Sequence, residues 1–566
     1  MEMGIKMNNG DGNIKKGKFL FDLLYVGIIL YACARLSFGA SRLVDFVFAD
    51  ESVSLFYGLG FKAGHLFTDG FVYHLWYKLF SFFVPDPVAL YSFNYAVLVS
   101  LNGVLMYILL RKMRRGYFFS GLFSILWVIS SVNIFTWPFI TRFAGSIILL
   151  TLILVLSVRT HRAKFFFLLG GLTILVYVRP EFILSFLLFA AIALVVLGIR
   201  YIRSSRKVFA AAFLITLILA LFVFVIKNPS AGDRSAWAFG QHYALGLKQQ
   251  GEKDIDPWGE GVWQKVMKEK FNTDQSAIKA FFNNPSAMLA HVGRNVKMVP
   301  FKTLYAHYPF TLTSFSKSLQ YFIKWVIIGL YLLAMLMFGK KLFKGFKEKK
   351  LLNSFNIDDR LFYLAWVILI LPPLISAVLI YPRDHYILVL FLLLYIFLLK
   401  HLPSMRFDGF KKYTTIFSPI LLLAVVIIIP WRVSASIGLL PGTPLKCCST
   451  LSMMEQIKEI GVRAKVNLLA LGMKEMRKNT LFEKYMSADS PYPYTLYRLN
   501  TLPAESFLVE KDINMILVDE KELLKKHPDA GPSVKEFIAN WTRTGWIKYE
   551  MTCRRYLLVK KDILQE

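Results

Sequence analysis

Residues 182–226 read FILSFLLFAAIALVVLGIRYIRSSRKVFAAAFLITLILALFVFVI, two apolar runs parted by the block Arg200-Tyr-Ile-Arg-Ser-Ser-Arg-Lys207. Each run approaches the roughly 20 apolar residues needed to cross a hydrocarbon core. The block between them puts 4 cations into 8 residues, the mark of a short loop kept on the cytosolic side. This pattern of apolar run, basic loop and apolar run decides the fold.

Outward from this stretch the same alternation continues. Further runs lie near 19–38, 88–110, 117–135, 139–157, 165–179, 319–339, 361–380, 385–400 and 414–431, making eleven with 182–199 and 207–226. Basic loops recur at Arg111-Lys-Met-Arg-Arg, Arg159-Thr-His-Arg-Ala-Lys, Lys340-Lys-Leu-Phe-Lys-Gly-Phe-Lys-Glu-Lys-Lys and Lys411-Lys412. The N-terminal tail joins them with Lys15, Lys16 and Lys18. The alternating segments 39–87, 136–138, 180–181, 227–318 and 381–384 carry no such block. The N-terminus is therefore expected in the cytosol, with 39–87, 227–318 and the C-terminal region outside. The first run is full length and no small-residue cleavage pattern follows it, so a cleaved signal peptide is not expected.

Composition agrees. Of 566 residues 56% are hydrophobic and only 18% charged, with mean hydropathy +0.49. Soluble domains carry roughly 25% charged residues. A net charge of +30 in a soluble chain would suggest nucleic acid, but here the cations sit in short loops and no nucleic-acid motif accompanies them. The expected fold class is an all-α polytopic membrane domain over residues 1–433, with a soluble α/β domain over 434–566. In the latter, 466–471, 513–518 and 556–560 read as buried strands, and 453–460, 521–526 and 534–541 as helices. No glycine-rich phosphate loop follows those strands.

The outside loops hold the polar residues of interest. In loop 39–87, Ser52 to Lys62 and Phe71 to Val84 are aromatic and amphipathic, and too short to span. They read as interfacial helices, either an anchoring belt or the wall of a groove for a lipid-linked substrate. Loop 227–318 reads as a helical subdomain, helical at 277–282 and 288–296 and broken at Asn284-Pro285. Its Asp254-Ile-Asp256 has the spacing of a nucleotide-sugar metal motif, but nucleotide sugars are cytosolic, so these are read as solvated acids. Cys447 or Cys448 could bridge to Cys553 on the oxidising side, while Cys33 is read as packing. Asn540-Trp-Thr542 is a lone sequon and decides nothing.

Four clusters fall on the outer face by topology: Asp50–Glu51, Arg179-Pro-Glu181, Arg383-Asp-His385-Tyr386, and Asp233–Arg234. Each alone reads as anchoring charge or an ion pair. Together they mix acids with guanidiniums, whose planar fork suits a phosphate. A sugar joined through phosphate to a long lipid would use such a set. A carboxylate takes the proton of the attacking hydroxyl, for which Asp50 is suited, and cations stabilise the departing phosphate, for which Arg383 with Arg179 or His385 is suited. A single displacement inverts the anomeric centre.

An Asp-Glu pair after the first span, amphipathic helices in the first outside loop, many spans and an external C-terminal domain resemble the GT-C glycosyltransferases. These include the protein O-mannosyltransferases and the lipid A aminoarabinose transferases, which use polyprenyl-phosphate sugars. The resemblance implies Asp50 as catalytic base, with Glu51 beside it, and Arg179, Glu181, Arg383, His385 and Tyr386 near the donor phosphate. Arg234 belongs to the same outer substrate-binding set. It implies a lipid, glycan or protein acceptor and contact with membrane lipids, with a bacterial inner membrane and a periplasmic site as the first expectation and the endoplasmic reticulum as the second. One departure stands out. Ser131-Val-Asn-Ile-Phe-Thr-Trp-Pro-Phe-Ile-Thr-Arg142 carries no acid where several relatives have one. No metal ligands are assigned, and a divalent cation stays open only if Glu51 or Glu181 substitutes. The competing readings are a lipid-linked glycan flippase and a non-enzymatic envelope-assembly protein. Against the flippase, the central stretches 149–156 and 367–379 are free of charge and no internal repeat is visible.

Overall fold

A backbone in lipid has no water to satisfy its N–H and C=O groups, so long apolar runs become helices. In the computed structural model this holds along the chain. The structure describes residues 9–37, 49–60, 70–85, 87–130, 133, 139–204, 207–226, 234–252, 255, 257, 261–273, 277–306, 317–347, 357–402, 411–428, 456, 459–460, 467–471, 484–487, 504–510, 512–519, 532–551 and 555–564.

Seven of the described helices are long and apolar enough to cross a membrane: Phe19–Ser37, Ala89–Lys112, Phe139–Ser157, His161–Val178, Pro180–Ile202, Lys207–Val225 and Leu361–Leu379. Four expected spans coincide with shorter apolar helices, Tyr117–Val128, Ile328–Lys340, Ile387–His401 and Phe417–Ile427. The run read as 117–135 stops early for a local reason. Ser130 Oγ donates to the Trp127 carbonyl at 2.7 Å and Asn133 Nδ2 donates to it at 2.6 Å. Side chains thus cap a carbonyl left over at the helix end.

The bundle centres on helix Pro87–Lys112, which packs against Asn9–Ser37, Tyr117–Val128 and Phe139–Ser157. One continuous apolar core runs through it. Asn102 stitches its middle by donating to the Arg142 carbonyl at 3.1 Å and to Ser146 Oγ at 2.8 Å. Its two ends differ in character. Phe139 packs on Tyr91 and Tyr95 near the first turns, whereas Arg111 closes the last turn and pairs with Asp22 at 2.9 Å. At about 1.5 Å per residue these ends lie about 30 Å apart. At the Arg111 end, the buried Arg115 donates to the carbonyls of Lys400 and Leu402, at 2.5 and 2.8 Å. The basic loop after Pro87–Lys112 and the basic end of Asp384–His401 are therefore neighbours, as the charge pattern requires.

The amphipathic segments of loop 39–87 form helices Ala49–Leu59 and Phe71–Ser81, which pack on one another. The second turns Tyr73, His74 and Tyr77 inward, while Leu75 and Leu79 stay exposed. In loop 227–318, helices Arg234–Gln249, Val262–Phe271, Ala277–Asn283 and Pro285–Ala306 share a core of their own that includes Phe239, Tyr243, Trp263, Met267, Phe271 and Met288. The break at Asn284-Pro285 is a helix start, with Asn284 Oδ1 accepting from the Ala287 amide at 3.1 Å.

The C-terminal region holds a five-stranded sheet. Its strands are β1 (Asn467–Leu471), β2 (Lys484–Ser487), β3 (Met515–Asp519), β4 (Trp546–Met551) and β5 (Arg555–Lys560), in the order β2-β1-β3-β5-β4. Pairs β1–β2 and β1–β3 are parallel, while β3–β5 and β4–β5 are antiparallel. Side chains alternate between two apolar faces, Leu469, Ile516, Val518 and Leu558 on one and Leu468, Met515, Leu517 and Leu557 on the other. The three expected strands match β1, β3 and β5, whereas β2 and β4 were not read. The expected helix 534–541 is Pro532–Ala539. The expected helix at 521–526 lies outside the described residues, as does most of 453–460.

Candidate functional site

Glu51 sits in the first turn of helix Ala49–Leu59 and is buried. Its Oε1 accepts the hydroxyls of both Tyr73 and Tyr77, and its Oε2 accepts the Phe139 amide at 2.8 Å. The two tyrosines lie four residues apart, hence on one face of helix Phe71–Ser81. A second tier supports them. Asn94 Nδ2 donates to Tyr73 Oη at 2.7 Å, and Trp76 Nε1 donates to Asn94 Oδ1 at 2.8 Å. Burial pushes the Glu51 carboxyl above the usual range, against the downward pull of the two hydroxyls, the Phe139 amide and nearby Arg142. Burial, and then the Glu51 charge, push both phenols well above their ordinary value, so they remain donors.

Two glycines permit this closure. A Cβ on Gly58 would come within 2.4 Å of Tyr77 Cβ, so a larger residue would part the two helices. Gly70 begins helix Phe71–Ser81 with φ 82°, a left-handed conformation that glycine adopts freely.

Arg142 is buried one turn into helix Phe139–Ser157, its guanidinium 5.3 Å from the Tyr95 ring centre and 5.2 Å from that of Phe139. The stretch that lacks an acid thus delivers an arginine to the neighbourhood of Glu51. Asp50 is the second residue of helix Ala49–Leu59, and its side chain lies outside the described residues.

The second cluster meets the first on the same helix. Arg179 ends helix His161–Val178 in an extended conformation, before the 3-10 turn Pro180–Phe182. Its Nη1 donates to Thr141 Oγ1 at 2.9 Å, and its Nη2 pairs with Glu181 Oε1 at 2.5 Å. Thr141 is two residues from Phe139. Glu51 and Arg179, 128 positions apart in the chain, are therefore held by the same first turn of Phe139–Ser157.

The third cluster meets the second outside loop. Arg383 is the N-cap residue of Asp384–His401 and is half-buried. Beside it, Tyr381 Oη donates to Gln249 Oε1 at 3.0 Å, and the His242 ring stacks on that of Tyr381 at 5.8 Å. His291 Nε2 donates to the Ile380 carbonyl at 2.9 Å, and Asn295 Nδ2 to that of Val378 at 2.8 Å. Burial lowers both histidines to about 4, helped by Arg383 at His242 and by Arg294 at His291. Both are neutral at pH 7.

The side chains of His385, Tyr386 and Arg234 lie outside the described residues, as do Asp233, Asp254, Asp256, Cys447, Cys448 and Cys553. Cys33 is buried with a free thiol. Among the described residues no group of three or more His, Cys, Asp or Glu is placed to hold a metal ion.

Of the residues expected at the site, Glu51, Arg179 and Glu181 come together at one helix turn and Arg383 lies in a separate cluster, while their neighbours Tyr73, Tyr77, Arg142, His242 and His291 were not among those expected. Two signals were present. Tyr73 and Tyr77 have the i, i+4 spacing of one helix face, and Arg142 interrupts an apolar helix, where a charge needs a reason. No protein-family model matches the chain, and no curated protein matches it.

Proposed function

We propose that the chain is an integral membrane glycosyltransferase of the GT-C type, crossing the membrane eleven times. It transfers a sugar from a polyprenyl-phosphate carrier to a lipid, glycan or protein acceptor at the outer face, in a bacterium the periplasmic face of the inner membrane. The supporting observation is the convergence of Glu51 and Arg179 on the first turn of Phe139–Ser157. That turn packs at the end of Pro87–Lys112 opposite Arg111. Glu51, Arg179 and Glu181 thus lie away from the basic Arg111 end of that helix.

In this reading Asp50 takes the proton from the acceptor hydroxyl as that oxygen attacks the anomeric carbon, and the configuration inverts. Glu51, already engaged by three donors, fixes the helix that carries Asp50. Arg179, with Arg383, His385 and Tyr386, neutralises the departing phosphate. Glu181 orients Arg179, and Arg234 lies at the acceptor side. Purified protein in vesicles containing a polyprenyl-phosphate sugar is the test. Release of polyprenyl phosphate only when acceptor is supplied supports transfer. Movement of the intact donor across the bilayer with no release would make the chain a flippase, and neither activity would leave an assembly protein.

A further inference from the structure

Helix Pro285–Ala306 has two faces of different fate. Met288, His291, Asn295 and Val299 point inward. Met288 joins the core of the outer subdomain, His291 and Asn295 bond the end of Ile357–Leu379, and Val299 packs on the bundle core. The opposite stripe is apolar and open: Leu289 is 61% exposed and Val296 49%, in line with Gly293 and Pro300 and flanked by Phe301 at 71%. Phe282, on the preceding helix, is 73% exposed. A solvated helix carries mostly polar residues on its outer face, whereas among the described residues of this one the exposed ones are apolar apart from Ser286 and Lys297.

Two further observations say what covers it. The helix packs on Ile357–Leu379, Asp384–His401 and Lys317–Lys347, and the last of these exposes Tyr321, Phe322 and Trp325 in its first turns. Aromatic side chains at the mouth of an apolar helix mark headgroup depth. Helix Pro285–Ala306 also carries Arg294, Lys297 and Lys302 and no acid. We infer that the outer subdomain, residues 234–306, rests the face formed by Phe282, Leu289, Val296 and Phe301 in the outer-leaflet interface, with the exposed Lys297 of the same helix on anionic lipid headgroups. The subdomain is then a membrane-bound rim whose inner side, through His242 and His291, holds the Tyr381–Arg383 turn. This inference needs the chain to be in a membrane and does not depend on glycosyl transfer.

The test places the photo-crosslinking residue p-benzoylphenylalanine singly at Leu289, Val296 and Phe301 of the full chain. The chains are reconstituted in vesicles of phosphatidylethanolamine with or without one quarter phosphatidylglycerol. Lys265, whose side chain is 78% exposed on another helix, serves as the aqueous control. Phospholipid adducts at all three sites and not at 265, rising several-fold with phosphatidylglycerol, are expected. Adducts joining two chains would show a second copy on this face and overturn the proposal. Absence of lipid adducts in protein that elutes as a folded species also overturns it. Equal yields with and without phosphatidylglycerol overturn the electrostatic part.

Discussion

The Phe139 amide donates to Glu51 Oε2 at 2.8 Å, tying the first outside helix to the start of a membrane-length helix. Because Thr141, two residues on, accepts from Arg179, this bond also fixes the distance between an acid-bearing helix and a guanidinium. Asp50→Asn keeps the shape of the side chain and removes its basicity. Transfer is expected to fall by 10³-fold or more, on the order of 4 kcal/mol in the barrier, while the thermal midpoint stays within a degree or two. Wild-type turnover by purified Asp50→Asn protein would refute its role as base.

Glu51 is predicted to govern stability first. Glu51→Leu strands the Tyr73 and Tyr77 hydroxyls and the Phe139 N–H in a buried site, at about 1–3 kcal/mol for each group left unpaired. Tyr77→Phe removes one bond and should cost about 1 kcal/mol. Gly58→Ala, which drives a methyl into Tyr77, should resemble Glu51→Leu more than Tyr77→Phe. Thermal midpoints in detergent rank the three, and a neutral Gly58→Ala would show that the helices do not close there.

Arg179→Lys keeps the charge but cannot span Thr141 and Glu181 with one planar group. An increase of about tenfold in donor KM, equivalent to 1.4 kcal/mol, is expected with acceptor KM little changed. Arg383→Ala should follow the same pattern. Steady-state kinetics with each substrate varied in turn separates the two constants, and unchanged donor kinetics in either variant would remove that arginine from the donor site.

Acidification should loosen the outer subdomain. Free imidazole titrates near 6.5, whereas His242 and His291 in the folded chain titrate at about 4. Between those values the unfolded state binds more protons, so the stabilisation present above pH 6.5 is lost as pH falls toward 4. The loss is up to about 3 kcal/mol for each histidine. Protection factors across 234–306, corrected for the intrinsic pH dependence of exchange, should fall from pH 7 to pH 4.5, and a His242→Phe, His291→Gln variant should flatten that dependence. An equally steep profile in the double variant would place the titration elsewhere.

What the sequence disclosed follows from local physics. Apolar runs long enough to span become helices, short ones between polar segments become strands, and Asn284-Pro285 starts a helix because a side-chain acceptor precedes a residue lacking an N–H. The short strands β2 and β4 escaped because neither is a continuous apolar run, as Lys484-Tyr-Met-Ser487 illustrates. Most of all, lateral distance is invisible in a list of spans. Topology put Glu51, Arg179 and Arg383 on one side, but only packing could show that Glu51 and Arg179 share the first turn of one helix. It also showed that Glu51's partners include a backbone amide, which no choice of side chain at position 139 would betray.

The Arg115 clamp has a mechanical consequence. By gripping the last carbonyls of Asp384–His401, it anchors the far tip of the rod whose near tip is Arg383. A rod fixed at one tip cannot slide, so any adjustment of Arg383 toward cargo must be absorbed by the short Tyr381-Pro382 joint, a hinge whose compliance is limited by proline's fixed φ.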